Sequence, residues 1–178
     1  MTLFTGSYYN CKGGNLVSIS GDRGKSADFV GASYTILAPK KDFFRVWKDN
    51  KTKLSEDENN LYYMREFYTK VLSKLDPKQV FDDLSKFGDT VVILCYEDSF
   101  DFCHRHLVAV WLEKELNIEI PEIAIDEDDN VTTLSRNPKY TQQFCDIMNS
   151  IWRRIYLWKQ DCKKFGRLLL VEKTGATL

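Results

Sequence analysis

The 178-residue chain carries 25 basic and 26 acidic side chains, and a net charge of −1 makes no global electrostatic case for a nucleic-acid or anionic-membrane partner. With 43% hydrophobic and 13% aromatic residues it has too many large apolar side chains for disorder, so a packed core is expected. No basic leader precedes an apolar stretch and no window reaches roughly 18 continuous apolar residues, which implies a cytoplasmic protein with no membrane span. The five cysteines, at positions 11, 95, 103, 145 and 162, are odd in number and read as reduced thiols.

Along the chain, "TLFTGSYY" reads as a strand, "CKGGN" as a turn and "LVSIS" as a second strand entering the polar loop "GDRGK". The segment from Gly24 to Lys53 has no clean period and reads as an irregular excursion containing a short helix, "KDFFRVW". From Glu58 to Lys74, apolar residues at spacings of three and four predict a helix. "DPKQVFDDLSKFG" predicts another, with Asp76 as cap, Pro77 at the first helical position and Gly88 as the stop. "TVVILCY", apolar at both parities, predicts a central parallel strand buried on both faces.

A polar loop leads from that strand into an amphipathic helix from about Cys103 to Leu116. "IEIPEIAID" predicts a weak or edge strand, because Pro121 cannot donate to a ladder, and "DEDDN" an acidic loop at a domain boundary. Phe144, Met148, Ile151, Ile155, Trp158, Cys162 and Phe165 then demand a long amphipathic helix over Pro138 to Phe165, with "RLLLVEK" as a final strand. This order predicts an α/β fold: a mostly parallel sheet flanked by helices, Rossmann-like in three layers, with a core over 1–126 and a second segment over 131–178.

In such sheets ligands bind beyond the carboxyl ends of strands, here Ser7 to Tyr9, Gly21 to Lys25 and Glu97 to Phe102. The helix start at Cys103 presents unpaired N–H groups and a partial positive charge, a seat for phosphate or carboxylate, and Arg105 adds a guanidinium clamp. Cys103 or His104 is placed as nucleophile or base, and Glu97 for proton transfer, whereas a thiol in that position is also well suited to plain packing. His104 and His106 project roughly 200° apart on a helix, so one of them is expected to be structural. Cys103 and His106 share a face but offer two ligands where a structural zinc takes four, so neither metal nor cofactor is expected. "GDRGKS" lacks the leading glycine of a P-loop, leaving Arg23 as a ligand candidate.

Residues 136–167 hold eight basic and two acidic side chains, so this segment carries +6 and the remainder −7. A nucleic-acid backbone could be tracked by Arg153, Arg154, Lys163 and Lys164 beside Trp152 and Trp158; the competing reading is a helix docked on its own domain with a solvated outer face.

"CYEDSFDFCHRHLVAVWL" resembles the signature of the family catalogued as domain of unknown function 488, in which a strand ending in Cys-x-Glu is followed by Cys-His-Arg at a helix start. "GSYYN", "LVSISG", "YTILAP" and "YYMREFYTKVLSKLDPKQV" match other parts in order, so the likeness spans roughly Leu3 to Ile125. It marks Cys95, Glu97, Cys103, His104 and Arg105, with Ser7, Tyr8, Tyr63 and Tyr68 as further site residues. It implies no reaction, and the chain departs from the related subgroup in reading "GDRGKS" where a proline is common. The expected function is that of an enzyme or binding module for a small anionic ligand such as a nucleotide. The alternatives are a nucleic-acid binder using the basic helix, or an interaction domain in which the Cys-His-Arg block is structural and Arg105 is buried and paired to Glu97 or Asp101.

Overall fold

The computed structural model describes residues 1–154. The chain divides into two compact units, Met1–Phe144 and Cys145–Leu178. In the first, six strands form one sheet in the order β3-β2-β4-β1-β5-β6. These are β1 (Thr2–Ser7), β2 (Leu16–Ser18), β3 (Ala32–Ser33), β4 (Thr90–Cys95), β5 (Glu122–Ile125) and β6 (Val131–Leu134). All neighbouring pairs are parallel except β5 with β6. The helices flanking the sheet are α1 (Lys41–Asp49), α2 (Glu56–Lys70), α3 (Pro77–Ser85) and α4 (His104–Leu116), followed by α5 over residues 138–154. The architecture is the expected mostly parallel α/β fold.

Local chemistry sets the helix starts. Ser55 and Glu58 close a reciprocal capping box on α2, and the Asp76 carboxylate accepts from the N–H groups of Lys78 and Gln79 with Pro77 in the first turn of α3. β4 is buried from Val91 to Cys95. Its side chains alternate: Val92 and Leu94 join Tyr8, Cys11, Ile123 and Ile125 in one cluster, while Cys95 points toward α4. β1 and β4 run in register from Thr2 opposite Thr90 to Ser7 opposite Cys95, so both deliver their ends to the same level.

Three expectations change. β5 is not an edge, because pairing begins at Glu122, after Pro121, and the antiparallel β6 covers its outer side. β3 lies within the stretch read as irregular, and β6 between the acidic loop and the long helix, where no strand was expected, since two- and four-residue strands carry almost no periodicity. α4 is not amphipathic over its first nine residues: His104 to Leu112 are all buried, as in a helix enclosed on every side.

In the second unit, residues 145–154 continue the helix that begins at 138. The rest of the expected helix, the strand "RLLLVEK", Lys163 and Lys164 lie outside the described residues. Among the described residues no helix is long and apolar enough to cross a membrane.

Candidate functional site

β4 ends at Cys95, two residues before Glu97, and the loop after it returns to Cys103, the residue that caps α4 with extended backbone. Strand end and helix start thus face each other. The Cys95 thiol lies 3.2 Å from Glu97 Oε2 and 3.4 Å from His104 Nδ1, while His104 Nε2 lies 3.2 Å from the Ile19 carbonyl beyond β2. Donor atoms of Cys95, Cys103 and His104 are all within 4.8 Å of one another, and the three residues are buried.

This crowding separates the proton affinities of the group. Burial raises the Cys95 thiol well above its ordinary value, and the neighbouring Cys103 adds to the rise. Burial acts the same way on Cys103, but the hydrogen bond with Cys95, the Arg105 guanidinium and His104 overcome it and hold that thiol well below the usual range. His104 is raised, since Cys103 and Glu97 outweigh its desolvation. Burial, reinforced by the Cys103 charge, pushes Glu97 up to about 7. A thiol of lowered proton affinity, a histidine of raised proton affinity and a carboxyl group near neutrality therefore sit together.

Arg105 does something else. It is fully buried, with Nε 3.2 Å and Nη2 2.8 Å from Glu122 Oε1 and Nη1 3.3 Å from the Cys103 sulfur. His106 Nε2 approaches the other Glu122 oxygen at 3.3 Å. The clamp expected at the helix mouth is thus a sealed ion pair between α4 and β5, because a guanidinium enclosed in an apolar interior must be met by a carboxylate. Glu122 was not singled out in the sequence, although an acid inside the apolar run "IPEIAI" is the signal that would have found it.

The remaining expected residues separate. Ser7 accepts from the Asn10 N–H, and the Tyr8 hydroxyl lies 2.6 Å from Ser18 Oγ and 2.7 Å from Ser20 Oγ, a buried hydroxyl cluster under the β2 loop. In that loop Asp22 accepts from Ser20, Gly24, Ser26 and Tyr96, which hold its carboxyl below the usual range against its desolvation. Arg23 is exposed, with φ of 63°, and takes no part in that network. Tyr63 is buried edge-on to Phe102 and Trp47, with ring centroids 5.2 and 5.3 Å away, and burial raises its hydroxyl well above the ordinary value.

Beside Glu97 opens a cavity of about 470 Å³, also lined by Trp47, Lys51, Asn59, Asn60 and Phe102. Asn59 donates to the Trp47 carbonyl and Asn60 accepts from the Trp47 indole N–H, which fixes both amide orientations. Asn59 Oδ1 and Asn60 Nδ2 are left buried without a hydrogen-bond partner among the described residues. Acidic Glu56, Glu97 and Asp101 outnumber Lys51 in the wall. Only the pairing of two asparagines inside α2 hinted at them in the sequence. A second cavity of about 310 Å³, with Tyr9, Lys12, Asp126 and Asn130 in its wall, includes no residue of the thiol cluster.

Fold and site define a small α/β protein with a buried thiol–imidazole–carboxyl cluster behind a side cavity. Residues 17–116 match the family model DUF488-N3a, described as the active DUF488-N3 subclade. The chain belongs to the domain of unknown function 488 family. No curated protein and no solved structure shows significant similarity to it.

Proposed function

We propose that this chain binds a small molecule bearing a planar, nucleobase-like ring in the cavity beside Glu97, and that Glu97, backed by Cys103 and His104, meets the reacting end. The volume suits a small ligand. The observation that carries the reading is the pair of orphaned amide atoms, one acceptor on Asn59 and one donor on Asn60, in a wall also built from Trp47 and Phe102. An unmet buried polar group costs roughly 1–3 kcal/mol, which a ligand edge offering the complementary donor and acceptor would recover. Rings of that kind stack on aromatic side chains and offer such edges. With Arg105 sealed and an acidic wall, a phosphate is not what anchors the ligand; Lys51, whose Nζ sits 4.6 Å from the Trp47 ring centre, is the cation in the lining.

Calorimetric titration of nucleosides and their monophosphates separates these contributions. Nucleosides are expected to bind as well as their phosphates, and Asn60→Ala to weaken both by roughly tenfold or more, the equivalent of about 1.4 kcal/mol. Unchanged affinity in a folded Asn60→Ala protein, or binding that requires the phosphate, overturns the proposal.

A second reading rests on Arg153 and Arg154, both exposed beside Trp152, which is itself 50% exposed. If these residues track a nucleic-acid backbone, affinity for single-stranded oligonucleotides falls steeply between low and moderate salt; salt-insensitive binding removes that reading.

A further inference from the structure

We propose that Cys95, Cys103 and His104 form a binding site for one transition-metal ion, zinc by the character of the donors, with Glu97 on the fourth side between the ion and the cavity. Two thiolates and an imidazole are the soft nitrogen and sulfur set that zinc favours. The three ligand atoms already lie within 4.8 Å of one another. Zinc–sulfur bonds of about 2.3 Å imply tetrahedral edges of roughly 3.8 Å. The separation of Cys95 Sγ and His104 Nδ1, 3.4 Å, is close to such an edge. The side chains therefore need to shift by no more than about 1 Å to converge on one ion.

The surroundings are those of a ligand set held in place. His104 Nε2 donates to the Ile19 carbonyl at 3.2 Å, so the nitrogen facing the cysteines is Nδ1, and an arriving ion would displace any proton there together with that of the Cys95 thiol. Arg105 Nη1 supports the Cys103 sulfur at 3.3 Å from the far side, and its own charge is matched by Glu122. Glu97 Oε2 lies 3.2 Å from the Cys95 sulfur and Glu97 also lines the cavity, so the fourth side is where a ligand from the cavity would meet the ion. Three protein ligands and one exchangeable side is the arrangement of a catalytic rather than a purely structural zinc. The site is independent of what fills the cavity, and it can be examined without that ligand.

The test uses the full chain, stripped with a chelator and titrated with cobalt(II) under anaerobic conditions. The expected result is saturation at one equivalent, with thiolate-to-cobalt charge-transfer absorption and the strong visible bands of a tetrahedral ion, reversed by zinc. Cys103→Ser should weaken cobalt binding by more than the roughly 10- to 100-fold that loss of a supporting partner costs, while Cys145→Ser binds as wild type. Should Cys103→Ser fail to fold, alkylation mapped by mass spectrometry on the wild type decides: zinc should slow modification of Cys95 and Cys103 by at least about tenfold and leave Cys145 unchanged, since a coordinated thiolate is withdrawn from attack. Absence of saturable cobalt absorption, or alkylation of Cys103 at equal rates with and without zinc, overturns the site and leaves Cys103 and His104 as an uncoordinated thiolate–imidazolium pair. Neither result depends on nucleoside binding, because both are read on the full chain with no nucleoside present.

Discussion

Replacing Glu122 with glutamine removes one charge from the ion pair that fastens α4 to β5 and leaves Arg105 enclosed with the Cys103 sulfur but no carboxylate beside it. Glu122 receives Arg105 Nη2 at 2.8 Å and Nε at 3.2 Å, and both partners are essentially inaccessible. Burial alone would raise the Glu122 carboxyl; the close approach of His106 at 3.3 Å and the Arg105 charge and hydrogen bonds instead hold it at about 2 against an ordinary 4.5. A depression of that size corresponds to roughly 3 kcal/mol in favour of the charged form in the folded protein. Breaking a buried pair by removing one partner costs about 3–5 kcal/mol in other proteins, so the two routes agree. In urea denaturation at pH 7 the Glu122→Gln midpoint should fall by roughly 1–3 M.

The pH dependence follows in sign from the depressed folded value. The contribution is complete above about 4.5 and is lost as pH falls toward about 2, so wild type and Glu122→Gln should converge on acidification. Arg105→Met combined with Glu122→Leu, which removes both charges, should recover most of the loss. Equal midpoints at pH 7, or an Arg105→Met protein of undiminished stability that no longer binds cavity ligand, would refute the sealed pair and restore Arg105 to the site.

Other outcomes are accessible to the same assays. Ser55→Ala breaks the capping box of α2 and should cost about 1 kcal/mol, with no effect on cobalt binding. Gly6→Ala places a methyl group against the Cys11 sulfur, with the Ile123 carbonyl 3.1 Å away, and should destabilise by about 1–3 kcal/mol in thermal unfolding. Tyr8→Phe removes the hydroxyl shared by Ser18 and Ser20 and should cost roughly 1–3 kcal/mol while leaving cavity affinity intact; a selective loss of ligand would return Tyr8 to the site. Phe102→Ala opens the aromatic wall and should lower the affinity for a ring-bearing ligand more than it lowers stability, as measured by titration beside a melting curve.

The site was legible in part. Cys95, Glu97, Cys103 and His104 stand within ten positions of one another, and a strand-to-helix turn brings such residues together whatever the rest of the chain does. Arg105 was misread because it follows His104 directly: one further helical step of about 100° turns its side chain from the mouth toward β5, and its partner Glu122 comes from a strand that sequence places no nearer than seventeen residues. Of the cavity wall only the part from the strand end, Glu97 to Phe102, was legible, since Trp47, Asn59 and Asn60 come from α1 and α2, far from Glu97 in sequence.

Local rules are enough to place the principal elements: Ser55 and Asp76 start helices, Pro77 and Gly88 bracket one, and the unbroken apolar run of β4 requires cover on both faces. These features act over a few residues of backbone, so sequence alone determines them. Which strands neighbour which, that β6 and not β5 forms the edge, that a guanidinium is neutralised internally, and that two cysteines and a histidine converge are decisions of the tertiary structure. They depend on groups distant along the chain meeting in a medium of low polarity, where an unpaired charge or lone pair is too costly to leave unmet.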